Sequence, residues 1–452
     1  MPTDSQLPRS EPESFGVDGG SIERWLTALD DANIELHSFM LVRDGKVLAE
    51  GWWKPYRATD PHLLYSLSKS FCSTAVGFAV AEGFFQLTDK VVSFFESELP
   101  SEVPENLALM TIHDLLTMST GHDSEPDMRG QNDPAESWAA AFLHHPVAHR
   151  PGTHFLYNSA ATYMASAIVQ KTTGATLTQY LQARLYEKLG ISQHPWQQSP
   201  QGIDVGGWGM SLTTESIAKF GQLLLNDGVW QGDQVLPAGW VATATAKQVS
   251  NGDDPNNDWN QGYGYQFWRC RHGAYRGDGA FGQNCIVMPN QNAVLATTAN
   301  ASDLGAIMST FWENVLPNLG GSPASSASLG STLANLDLAP TGEPSGMFTG
   351  SFVSGSNSMR IADDLVELHT DGIALKAGLG SWIETDVANY GRLAGAAAWQ
   401  GDVLRVKFRD TGSPFSLDVV CQLEGPDASV QITQSGTFWS QDRSFKGTRQ
   451  GS

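Results

Sequence analysis

Residues 63–83 read LLYSLSKSFCSTAVGFAVAEG. The spacing predicts a helix, apolar around most of its girth through Leu67, Phe71, Ala75, Val76, Phe78 and Ala79. Its polar stripe is narrow and built of small residues, Ser66, Lys69, Ser70 and Ser73, running on to Gly77. Such a helix lies inside a domain with its stripe facing a cavity or another helix. An ammonium group there is costly unless it is paired or gives up its proton. Positions i and i+3 share a helix face, so Lys69 can reach the Ser66 hydroxyl. Ser66 falls at the N-terminal end, where free backbone N–H groups can stabilise an oxyanion. A lysine that loses proton affinity on burial suits a serine nucleophile beside it. A lysine snorkelling from the first turn accounts for the same residues without any chemistry.

The chain carries its own control. Ser216 and Lys219 repeat the Ser-x-x-Lys spacing in TTESIAKFGQLLLNDG (213–228). There Ser216, Lys219, Gln222 and Asn226 form a polar stripe opposite Ile217, Phe220, Leu224 and Leu225. That pattern predicts an ordinary surface helix with Thr213 as its N-cap.

Working outward, HSFMLVRDGKVLAEGWW (37–53) predicts a hairpin turning at Asp44-Gly45. Helical patterns fill about 111–245, notably TIHDLLTM (111–118) and SAATYMASAIVQKTTG (159–174). Strand patterns return at YGYQFWRC (263–270), GQNCIVMP (282–289) and AVLATTA (293–299), followed by a helix at 304–316. Strands at both ends and helices between predict an α/β (α+β) domain over residues 1–317. Its antiparallel sheet is built from the two ends and flanked by helices, and a helical region forms the other wall of a cleft. Residues 318–346 have a Ser/Gly/Pro-rich linker composition. Residues 347–452 alternate in short runs and predict a C-terminal all-β barrel or sandwich that supplies no catalytic group.

A formal net charge of -21 disfavours nucleic acid and anionic membranes as partners. The four cysteines, Cys72, Cys270, Cys285 and Cys421, have no CxxC spacing; reduced structural thiols are expected. MPTDSQLPRSEPES lacks the apolar run of a signal peptide, so a cytoplasmic location is expected, although a leader removed ahead of residue 1 would leave no trace. His144, His145 and His149 cluster, but Pro146 breaks any shared helix face and no HExxH is present; neither a metal nor a cofactor is expected.

SLSKSFCSTAVGFAVAEGFFQLTDKV resembles the first motif of the serine β-lactamase-like hydrolases. These include class C β-lactamases, D-Ala-D-Ala peptidases, family VIII carboxylesterases and 6-aminohexanoate-dimer hydrolases. MTIHDLLTMSTG, PGTHFLYNSAATYMASAIVQKTTG, GGWGMSLTTESIAKFGQLLLNDGVWQGDQVL and GDGAFGQNCIVMP resemble further segments, in the same order, from about residue 15 to 316. The resemblance implies a β-lactamase/transpeptidase-like fold and serine acyl transfer. It makes Ser66 the nucleophile, Lys69 its partner and Tyr157 the proton-exchanging tyrosine. The Ala280 N–H would join that of Ser66 in the oxyanion hole.

Departures bear on the substrate. Tyr-x-Asn becomes Tyr157-Asn158-Ser159, and the Lys-Thr-Gly box is absent; the nearest string, Lys171-Thr172-Thr173-Gly174, falls at a helix end. YRGDGAFGQN stands in its place, so Ser159, Arg276 and Asp278 are candidates for substrate contact, with a turn salt bridge the plainer role for the last two. The pattern is most similar to the esterase and 6-aminohexanoate-dimer hydrolase branch, which implies small carboxylic esters or linear amides as substrates. A β-lactamase or D-Ala-D-Ala carboxypeptidase, and a binding protein that lost turnover, are the alternatives. Whether Lys69 or Tyr157 is the base stays open.

Overall fold

Asp44 and Gly45 have φ of 48° and 74°, the left-handed pair that a tight type I′ hairpin requires. They join β1 (Glu35–Arg43) to β2 (Lys46–Trp52). In the computed structural model, which describes residues 6–128, 137–320, 326–344, 348–370, 372–388, 391–438 and 442–450, this hairpin starts the main sheet. The other strands come from the far end of the domain: β3 (Trp268–Arg269), β4 (Tyr275–Gly279), β5 (Gln283–Met288) and β6 (Ala293–Asn300). Their order is β2-β1-β6-β5-β4-β3, antiparallel throughout. The two ends of the domain therefore meet at the β1–β6 ladder, from Glu35↔Asn300 to Arg43↔Ala293.

The helices are α1 (Gly19–Asp31), α2 (Ser68–Ala81), α3 (Ser159–Thr173), α4 (Thr214–Leu225) and α5 (Ala306–Asn314). Strand alternation sorts them. Phe39 and Leu41 of β1 enter one core with Trp25 of α1 and Phe311 of α5; the Trp25 ring meets both phenylalanines edge-on, at 5.3 and 5.4 Å. Met40 and Val42 enter the other core, shared with α2, α3 and α4. Strand pairing over 263–270 is confined to Trp268–Arg269 and isolated bridges from Tyr263 to Val249 and to Trp268. Gln266 breaks it: with φ of 66° it turns inward and donates to the Leu115 and Leu116 carbonyls.

The second Ser-x-x-Lys helix is a correction. On α4, Ser216 (7% exposed), Lys219 (2%) and Gln222 (4%) are buried, not solvated. The helix lies flat on β5 and β6, and the N-terminal segment covers its polar side. Glu215 accepts from the Leu7 N–H and from Arg9, which also pairs with Glu50. Arg9, Glu50, Glu215 and Lys219 line a polar cavity of about 330 Å³. Thr213 does cap the helix, accepting from the Ser216 N–H.

Part of the Ser/Gly/Pro-rich stretch is folded. A helix, α6 (Leu329–Ala334), packs Leu329 into the α1 core, and Leu338 donates its N–H to the Lys54 carbonyl. Residues 321–325 and 345–346 of that stretch lie outside the described residues. Beyond it, ten strands among the described residues, from Gly350–Ser354 to Arg443–Gln450, form a C-terminal β-barrel. It closes where Ile373–Leu379 runs parallel to Gly391–Gln400 at Gly378↔Ala396. Phe352, Met359, Leu368, Trp399 and Phe408 are among its core residues.

The barrel docks on the sheet through a buried charge. Arg409 (1% exposed at the side chain) makes two 2.8 Å hydrogen bonds to Glu35, at the start of β1, and a third to Asp418. Glu35 in turn accepts from His37 Nε2 (3.3 Å), and His37 Nδ1 shares a proton with His62 Nε2 (2.9 Å). Burial lowers the His37 pKa, with Glu35 opposing it, and drives that of His62 well down. Burial pushes the Glu35 carboxyl up, but Arg409 and His37 outweigh it and hold it well below the usual carboxylate range. All three folded-state values are thus depressed, so their contributions are present at neutral pH and lost as pH falls. The histidines act below their ordinary value of 6.5, and Glu35 only below 4.5. Urea midpoints should therefore begin to fall below that histidine value, by up to ~1.4 kcal/mol per pH unit for each imidazole. His62→Gln should flatten the slope between pH ~6.5 and ~5; an unchanged slope would place the proton uptake elsewhere.

Candidate active site

The chain enters the site through a strained turn. Tyr65 has φ of 47°, a left-handed backbone uncommon for an aromatic residue. One 3₁₀ turn, Tyr65–Leu67, then runs into α2, so Ser66 stands in that turn, ahead of the α-helix proper. The turn is pressed against β4. A Cβ on Gly279 would collide with the Leu64 carbonyl, and one on Gly277 with Leu67 and Ser70. Behind the turn, Ser68 Oγ donates to the Tyr65 carbonyl (2.6 Å) and accepts from the Met210 N–H (3.1 Å).

Lys69 is 1% exposed. Its Nζ donates to Ser66 Oγ (2.9 Å), Ser159 Oγ (3.1 Å) and the Gly207 carbonyl (2.7 Å), three neutral oxygens from three separate segments. Ser159 opens α3, whose N-cap Asn158 accepts from the Ala161 N–H. The Ser159 N–H donates to Glu125 (2.7 Å), a carboxylate placed at the positive end of the helix. Gly207 can approach because it has no side chain; a Cβ there would lie 2.8 Å from the Ser159 carbonyl oxygen.

Tyr157 completes the cluster. Its ring stacks on Trp268 (centroids 5.2 Å apart), and Lys69 Nζ lies 4.8 Å from its centroid. Burial pushes the phenol pKa well up, a hydrogen bond with Ser66 opposes this, and Asp278 and Glu125 add to the rise. Tyr157 is thus a neutral phenol at neutral pH.

The remaining predicted residues take different places. Arg276 (0% exposed) donates to Asp278 (2.8 Å), the Asp258 carbonyl and Cys270 Sγ, beneath the Trp259 ring. Asp278 stays close enough to act electrostatically on Tyr157 and to feel Lys69; burial raises its pKa and Arg276 opposes the rise. Ala280 sits at the β4–β5 hairpin tip, its carbonyl held by Gln283 Nε2 (2.8 Å). Of the clustered histidines, His149 pairs with Asp123 (2.6 Å) beside His154, while His145 meets Ser124 and His144 the Glu98 carbonyl. The Gly207 carbonyl and Glu125 are missed by sequence reasoning. The Gly206-Gly207 pair is the one visible signal for the former.

The sheet and the helical region define a β-lactamase/transpeptidase-like fold. The chain belongs to the Beta-lactamase family, whose model matches residues 22–310. It is 25% identical over 288 residues to a 6-aminohexanoate-dimer hydrolase of Paenarthrobacter ureafaciens, covering 59% of this chain and 73% of that protein. Its fold is similar to that of the octameric penicillin-binding protein homologue from Pyrococcus abyssi (TM-score 0.55, 15% identity, 94% of this chain and 99% of that one). It is also similar to EstCE1, a hydrolase with promiscuous acyltransferase activity (TM-score 0.53, 15% identity, 67% and 99%). No helix among the described residues is long and apolar enough to cross a membrane.

The glycine contacts give a stability test. Gly279→Ala forces the Ser66 turn off β4 and should cost about 1–3 kcal/mol. Gly330→Ala, in α6 with nothing within 4 Å of the added Cβ, should be neutral or stabilise by up to ~1 kcal/mol. Equal melting temperatures for the two variants would contradict the close packing described.

Proposed function

We propose that the chain cleaves small carboxylic esters, with linear amides also within reach, through an acyl-enzyme on Ser66. The carrying observation is the contact of Lys69 Nζ with Ser66 Oγ at 2.9 Å, with Ser159 Oγ and the Gly207 carbonyl also bonded to it. A carbonyl oxygen can only accept, so Gly207 takes one N–H. Ser159 takes a second. A neutral amine held this way turns its lone pair to the Ser66 hydroxyl. Lys69 then removes the Ser66 proton as Oγ bonds to the substrate carbonyl carbon, and the carbonyl π pair moves to oxygen. The backbone N–H groups of Ser66 and Ala280 receive that oxyanion. On collapse the leaving alkoxide or amine takes a proton from Tyr157, which burial keeps protonated, and Tyr157 is reprotonated from Lys69. Water repeats the sequence on the acyl-enzyme and frees Ser66. No cofactor takes part.

Substrates bearing a carboxylate at the β4 side are disfavoured. Asp278 faces the cluster there, where the β-lactam-binding relatives described above carry Lys-Thr-Gly. This supports esters and amides over β-lactams or peptidoglycan peptides.

Two substitutions test the roles. Lys69→Arg keeps a charge but cannot act as a base, and it should slow pre-steady-state acylation by p-nitrophenyl acetate about 10²–10⁴-fold with the melting temperature retained. A rate within threefold of wild type would remove Lys69 as base. Tyr157→Phe should slow ethyl ester cleavage far more than p-nitrophenyl ester cleavage, because p-nitrophenolate departs without a proton. Equal losses on both would make Tyr157 the base.

A further inference from the structure

We propose that Tyr65, Phe281 and Phe438 form an aromatic subsite that receives the apolar or aromatic acyl group of the substrate, and that the C-terminal barrel thereby sets acyl specificity. The inference rests on the serine-hydrolase reading above. The three rings form a closed triangle: Tyr65–Phe281 at 5.3 Å, Tyr65–Phe438 at 5.7 Å and Phe281–Phe438 at 5.4 Å between centroids. These are the tilted and edge-on separations that aromatic groups favour. Two corners are tied by the chain to the reacting groups, since Tyr65 precedes Ser66 and Phe281 follows Ala280. Both have left-handed backbones, φ 47° and 65°, a strain that is concentrated at ligand-binding positions.

The third corner comes from the barrel and is deliberately held. Tyr65 Oη donates to the Gly436 carbonyl (3.3 Å), and Asn300 Nδ2, at the end of β6, donates to Ser435 Oγ (2.9 Å) and Ser416 Oγ (3.0 Å). Gly436 has φ of 73°, and a Cβ there would collide with the Pro414 carbonyl. The chain is thus pinned from both sides just before Phe438. Yet the Phe438 ring is 57% exposed, more than any other large hydrophobic side chain among the described residues; Phe84, at 42%, is the other exposed one. A ring whose only task was to seal two domains would be buried. This one stays largely exposed against Tyr65, the neighbour of Ser66 in the chain, and its burial by a ligand is favourable. Tyr157, which protonates the leaving group in the reading above, and Lys69, which reprotonates it, come from the segment entering α3 and from α2, so the triangle is assigned to the acyl side.

Boronic acids test this without turnover. Ser66 Oγ bonds to boron, the serine proton passes to Lys69, and trigonal boron becomes a tetrahedral anion, its alkyl group occupying the acyl side. Dissociation constants for methylboronic and 2-phenylethylboronic acids should favour the phenylethyl compound in the wild-type chain. Phe438→Ala should reduce that preference about tenfold, Phe438→Leu should give an intermediate ratio, and Phe84→Ala should leave the ratio unchanged. A ratio within twofold of wild type in Phe438→Ala, with both compounds still bound at Ser66, would overturn the subsite alone. Failure of either compound to bind Ser66 in the wild-type chain would instead overturn the serine-hydrolase reading and the subsite with it.

Discussion

Everything else in the site is arranged around one side-chain nitrogen. Lys69 Nζ is removed from water and bonded to the Ser66 and Ser159 hydroxyls and the Gly207 carbonyl. Burying an ammonium is costly unless it is paired, and Asp278 lies close enough to feel Lys69. The same three oxygens serve a neutral amine with nothing left unsatisfied. The proton exchange proposed above for Lys69 uses this geometry. It also explains the cost accepted around it: a left-handed Tyr65, a Gly207 that only a missing side chain allows, and a carboxylate, Glu125, spent on holding Ser159 in place.

That nitrogen can be held only because distant parts of the chain are brought together. β1 comes from one end of the hydrolase domain and β4 to β6 from the other. Their sheet carries Gly277 and Gly279, against which the Ser66 turn is seated. Ser66 and Lys69 come from one segment and Tyr157 from another, and their relative positions are fixed by that sheet and by the core shared among α2, α3 and α4. The barrel then adds a buried ion pair at Glu35, and its Phe438 ring meets Tyr65, the residue before Ser66.

Much of this was legible in the sequence because it rests on local signals. Asp44-Gly45 marks a hairpin whatever its surroundings, and the spacing of Ser66 and Lys69 fixes a shared face. Resemblance over five ordered segments carried Tyr157 and the sheet architecture. What was not legible depends on long-range packing. The α4 stripe looked solvated because periodicity reports which side is polar, not whether another segment covers it; Arg9 and Leu7 do so from more than 200 residues away. The Gly207 carbonyl has no side-chain signature at all. The 318–346 composition indicates a flexible tether, but Leu329 and Leu338 find partners on α1 and on the segment after β2. Arg276 and Asp278 do form the salt bridge expected of them, but it is buried, with Arg276 beneath Trp259.

The account stands on Ser66 being the atom that is acylated, and one experiment addresses this directly. The chain is mixed with p-nitrophenyl acetate, quenched in acid on the millisecond scale, digested and mapped by mass spectrometry. Acetyl on Ser66 during the burst, and its loss as turnover completes, is the result predicted here. Acetyl on Ser216, or a burst with no acetylated serine, would contradict it.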